Sequence, residues 1–119
     1  MSTHITSPEA FFGFQPGTDR KIARWDQIVD YFQILDQHSR RLKLIEMGPS
    51  TEGNPFLLVI ISSPSNLDRL EHLRELNISI SDPVEGSSQT SVVRSEGEMA
   101  DLVSQGKAII CQSMGLHAS

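Results

Sequence analysis

Lys107-Ala-Ile-Ile-Cys-Gln-Ser-Met-Gly-Leu-His-Ala-Ser119 is the stretch on which the reading of the fold turns. Ala108, Ile109, Ile110 and Cys111 form a short run with no polar member, which reads as a strand buried on both faces, as in a parallel sheet flanked by helices. Small residues follow, and then His117. Ligands and catalytic groups of such sheets gather just past the carboxyl ends of the strands, so His117 is expected at the opening of a site. Cys111 is expected as a small buried hydrophobe, because no base stands near it in the sequence. It is the single cysteine, so the chain has no internal disulfide.

Working outward, Ser95-Glu-Gly-Glu98 matches a capping box, and Met99, Leu102 and Val103 give a short helical face closed by Gly106. This helix is expected to deliver the chain to the strand at 107–112. The preceding segment, Ile78–Gly97, is rich in Ser, Gly and Glu and reads as a surface excursion. Before it, Ser63 is a candidate N-cap with Pro64 at the first helical position, and Leu67, Leu70, Leu73 and Leu76 mark one buried side.

Two further strands are expected at Arg41–Met47 and Phe56–Ser62, separated by the turn-rich Gly48-Pro-Ser-Thr-Glu-Gly-Asn-Pro55. The first alternates, Leu42, Leu44 and Glu46 opposing Lys43, Ile45 and Met47, which suits a strand near an edge. The second is apolar from Phe56 to Ile61, which suits an interior strand. Glu52 reads as an exposed turn residue. A helix over Asp19–His38 is expected from Ile22, Trp25, Ile28, Val29, Phe32 and Leu35, which recur at spacings of three and four. Residues 1–20 read as a lead-in broken by Pro8, Gly13, Pro16 and Gly17, with Phe11, Phe12 and Phe14 covering part of the body.

Three stretches carry a family resemblance. Gly115-Leu-His-Ala-Ser119 resembles the start of the H-x-x-E zinc segment of the carboxypeptidase A-like zinc metallocarboxypeptidases. Gly48-Pro-Ser-Thr-Glu-Gly-Asn-Pro-Phe-Leu-Leu-Val-Ile-Ile-Ser62 is similar to the family's first hairpin, with Asn54 where the family more often has arginine. Ser7-Pro-Glu-Ala-Phe-Phe-Gly-Phe-Gln-Pro-Gly-Thr-Asp-Arg-Lys-Ile-Ala-Arg-Trp-Asp26 resembles the opening segment of a bacterial-type branch. The resemblance spans nearly the whole chain in order. It implies an α/β fold, a three-layer α/β/α mixed sheet of which only the first part is present, with 21–119 as the N-terminal portion of the catalytic domain.

What the resemblance implies chemically is hydrolysis of C-terminal peptide bonds, with zinc held by two histidines and a glutamate, a separate glutamate as general base, and arginines for the substrate carboxylate. Only the first zinc ligand, His117, is matched. The glutamate due three residues later falls past Ser119, so this chain is expected to be inactive alone, with no catalytic residue of its own. Zinc belongs to the complete domain, as does its partner, a peptide or protein C-terminus. The residues that bind substrate are not in this sequence.

A second literal H-x-x-E, His72-Leu-Arg-Glu75, lies inside the leucine helix. At about 100° per residue His72 and Glu75 project away from the leucines, beside Asp68 and Glu71, with no third ligand in view. Two further readings stay open. One is a non-catalytic α/β interaction module that self-associates through unpaired strand edges, or pairs with a partner chain, to cover Phe56–Ile61 or Ala108–Cys111. The other is a metal-binding protein using His117, His72 or His4 in an oligomer.

Composition narrows the partners. A hydrophobic share of 38% and a charged share of 21% over 119 residues fit one globular domain or part of one. A net charge of −5 with interspersed signs argues against nucleic acid, which needs a basic stripe. The one basic cluster, Arg40-Arg41-Leu-Lys43, reads as a solvated helix end. No run has the length of a membrane span, and Met1–Glu9 lacks the layout of a signal peptide, so a cytoplasmic location is expected.

Overall fold

A computed structural model describes residues 5–81, 84–85 and 92–113. It holds helices and short antiparallel strand pairs, a mixed α and β composition, arranged as two units divided at Asp68/Arg69. Among the described residues no helix is long and apolar enough to cross a membrane.

The first unit begins with α1, Pro8–Phe12. The expected lead-in therefore contains a helical turn. The Ala10 N–H donates to Ser7 Oγ, Pro8 opens the helix without needing a donor, and Gly13 ends it at φ 74°, a conformation a Cβ would disfavour. Its aromatics cover part of the body, as expected. Phe11 and Phe12 lie 5.0 and 5.4 Å, centroid to centroid, from the ring of Tyr31.

Helix α2 runs over Trp25–His38 and starts six residues later than its apolar period suggests. The chain before it turns twice, Thr18 donating to the Gln15 carbonyl and Lys21 to that of Thr18, and Arg20 sits at φ 58°. Arg24 is extended and its N–H donates to Gln27 Oε1. Ile22 thus lies outside the helix and is 82% exposed, and Trp25 at the first turn is also exposed rather than core. Val29 and Tyr31 are the buried residues of α2.

Strands β1, Leu42–Pro49, and β2, Pro55–Ile61, form the antiparallel hairpin, with Leu42 opposite Ile61, Leu44 opposite Val59 and Glu46 opposite Leu57. A β-bulge between Glu46 and Pro49 precedes the tip, where Ser50 and Asn54 join through two bonds. Arg40, Arg41 and Lys43 are exposed, as expected, but they lead into β1 rather than end the helix. Helix α2 packs on the hairpin face of Leu42, Leu44, Leu57 and Val59.

The interior position expected for β2 is not what these residues show. Among the described residues the sheet has two strands, so the outer edge of β2 has no strand partner there, and Phe56 and Ile61 are 57% and 74% exposed. The two edges of the hairpin differ. On β1 the outward Leu44 N–H donates to Asp36 Oδ1 at 2.8 Å. On β2 the outward groups belong to Leu57, Val59 and Ile61. This follows because Ser62 N–H bonds across to Arg41 O, which makes Lys43/Ile60 and Ile45/Leu58 the hydrogen-bonded pairs. A short helix α3, Pro64–Leu67, closes the unit, capped by Ser63 as its sequence suggested, with Asn66 N–H on Ser63 Oγ.

The second unit holds α4, Leu70–Ser81, which buries Leu73 and Leu76, the expected side. Strands β3, Val84–Glu85, and β4, Val92–Val93, pair within the segment expected as an excursion. Helix α5, Glu96–Gln105, carries the capping box in full and ends at Gly106, whose N–H bonds Leu102 O. Met99 and Leu102 are half-buried while Val103 is exposed. Gly106 lies close to α4: a Cβ there would stand 2.7 Å from Ile80 Cδ1.

The expected strand at 107–112 is not formed. Residues 107–113 have no strand pairing, and Ile109 and Ile110 are 75% and 95% exposed. A strand exists only through its partner, and no described strand lies beside this run. Cys111 is consequently an exposed free thiol rather than a buried hydrophobe.

Candidate functional site

The concave feature of the first unit is the groove between α2 and the hairpin. One cleft, of about 250 Å³, has Val29, Leu44, Pro55 and Leu57 as its apolar floor and Gln33, Asp36, Gln37 and Glu46 around it. A second, wider cleft of about 540 Å³ shares Val29 and Pro55 and is bordered by Arg24, Trp25, Asp26, Asp30 and Asn54. Both clefts are lined by α2, the first by residues between 29 and 37 and the second by residues between 25 and 30. Asp36 is committed to the Leu44 N–H, and Arg24 Nε to Asp26 at 3.1 Å. No histidine, serine or cysteine lines either cleft, so the groove offers surface and polar contacts but no nucleophile with a base beside it.

His117 and His4 lie outside the described residues. His72 and Glu75 of the second H-x-x-E are exposed on α4, while Leu73 and Leu76 are buried. Their neighbours are engaged with each other: Arg74 donates from Nε to both oxygens of Glu71, at 3.0 and 3.1 Å. That contact holds the Glu71 carboxyl below the ordinary carboxylate value and raises Arg74. His38, at the end of α2, places Nδ1 2.8 Å from Ile34 O. Glu52 is exposed in the hairpin tip, as expected.

A zinc centre needs three ligands converging on an open position. Among the described residues no three of His, Cys, Asp and Glu gather in this way. The feature that sequence reading missed is the tie from Asp36 to Leu44, which links α2 to β1 across eight residues. Its only sequence signal is an acidic residue on the helix face turned towards the strands.

No protein-family model matches the chain. No curated protein and no solved structure matches it either.

Proposed function

We propose that this chain is the N-terminal portion of a zinc-dependent metallocarboxypeptidase-like domain, a three-layer α/β/α fold in its complete form, and that these 119 residues are inactive alone. The observation that supports it is the order of the first elements, helix α2, then the β1–β2 hairpin, then a helix capped by Ser63, with the resembling stretch 48–62 forming the tip and second strand of that hairpin. In the complete domain His117 would be one zinc ligand, and the substrate would be a peptide or protein C-terminus. A cytoplasmic residence goes with this proposal and is tested by cell fractionation.

The test is the transcript beyond the Ser119 codon. The expected result is glutamate at once, with a further histidine downstream, and chelator-sensitive release of C-terminal residues by the extended product. A stop codon at that point, or an extended product that ignores chelators, overturns it.

A second reading, an α/β interaction module, is favoured by one observation, the β2 edge that no described strand pairs with, beside exposed Phe56 and Ile61. It predicts that the 119-residue chain binds a partner chain or another copy of itself.

A further inference from the structure

We propose that the chain forms a two-fold dimer in which β2 of one copy pairs antiparallel with β2 of the other, centred on Val59. This deepens the interaction-module reading by naming the partner and the seam.

The hairpin has two edges, and on the β1 edge one outward donor is already taken. Asp36 takes the outward Leu44 N–H of β1, while the outward amides and carbonyls of Leu57, Val59 and Ile61 meet no partner among the described residues. Natural edge strands discourage pairing with charged side chains or a proline along their length. Pro55–Ile61 has no charge at all, and its one proline stands at the first position. Pro55 lies on the outward phase of the strand, so it ends a new ladder at that side and leaves Leu57–Ile61 as the usable length.

A second copy fits this edge by register and by charge. Pairing about Val59 sets Leu57 against the other copy's Ile61, Leu58 against Ile60, and Phe56 against Ser62. Every one of these pairs is uncharged, so no like charges meet despite the chain's net −5. Odd positions face odd positions, so the face that packs on α2 continues into the same face of the other copy. The result is a four-stranded sheet, β1-β2-β2-β1, closed by symmetry so that growth stops at two copies. Its new outer edges are the β1 edges at which Asp36 holds the Leu44 amide.

Sedimentation of the 119-residue chain across a wide concentration range should give twice the chain mass. Val59→Pro removes an outward N–H and no bond to β1, and should return the monomer with an unchanged circular dichroism spectrum. A wild type that stays monomeric overturns the dimer, as does a natively folded Val59→Pro variant that stays dimeric. The latter result would leave the module reading standing with a different seam.

Cross-linking decides if that variant fails to fold. In a Cys111→Ser background, Val59→Cys faces its own copy at a Cα separation of about 5.5 Å, within disulfide reach. Oxidation should link copies through Cys at 59 and not through Cys at 56 in Phe56→Cys. The reverse pattern overturns the seam. Val59→Cys with Cys111 kept adds one more check: a link from Cys at 59 to Cys111 of another copy would seat the 108–111 run on this edge instead and also overturn the seam.

Discussion

Asp36 Oδ1 accepts the Leu44 backbone N–H at 2.8 Å, so the helix that covers one face of the hairpin also takes an outward donor of its β1 edge. The bond spans eight residues and fixes where α2 lies along β1. Asp36→Ala should cost about 1 kcal/mol, the usual worth of such a bond at an accessible position, and leave the Leu44 amide facing solvent. Asp36→Asn keeps an acceptor and should lose less. Chemical denaturation gives the free energies, and hydrogen exchange at Leu44 shows directly whether the edge has opened.

Tyr31 ties α2 to the chain start. It is buried against Phe11 and Phe12, and its hydroxyl donates to Thr6 O at 2.8 Å. Tyr31→Phe keeps the rings together and leaves one carbonyl to water, so a loss of about 1 kcal/mol is expected. Amide exchange should quicken over α1 while the hairpin amides stay as they were. Equal quickening across β1 and β2 would contradict this local role.

Helix α5 should be sensitive to acid. Glu98 Oε2 accepts the Ser95 hydroxyl and the Ser95 N–H, both at 2.7 Å, and these bonds hold its carboxyl below 4.5. A carboxyl lowered on folding stabilises the folded form fully above its unfolded pKa, and that contribution disappears as pH falls through the lowered value. The end of α5 near Ser95 should therefore fray below about pH 4.5. Glu98→Gln should remove that pH dependence, measured by exchange at Met99 and its neighbours.

Gly106 lacks a side chain where Ile80 needs room. Its φ of −61° suits any residue, so a substitution meets crowding rather than backbone strain. Gly106→Ala should destabilise the second unit modestly, because the end of Ile80 can shift. Ile80→Val removes the crowding Cδ1, so the double variant should be more stable than the sum of the two single effects predicts. Additive losses would show that Gly106 and Ile80 do not meet.

The parts of the fold legible in the sequence are those whose partners lie within three or four residues. Ser95 and Glu98, Ser63 and Asn66, and the turn around Gly53 all close on themselves, so spacing alone reveals them. Ile22 shows how spacing misleads. It falls in period with Trp25, but Arg20 adopts a left-handed conformation and the helix starts after both the turn and Ile22. Tyr31 lies beside the apolar stripe rather than on it, and is buried because α1 arrives from elsewhere in the chain.

The run at 107–112 failed for the opposite reason. Its composition is that of a buried strand, but burial is conferred by a neighbour, and composition is silent on whether one is present. In the candidate site, His117 is a reading from its sequence surroundings and lies outside the described residues, while Asp36, which the structure places against a strand amide, is marked in the sequence only by its place on the helix face.

Among the described residues no side chain is fully enclosed, and the buried apolar set is Val29, Tyr31, Leu42, Leu73 and Leu76. Heat capacity follows from that. Unfolding releases less apolar surface than the chain length suggests, so its increment should fall below the usual ~12–15 cal/mol/K per residue. A small increment flattens the curve of stability against temperature. Cooling then weakens the fold little.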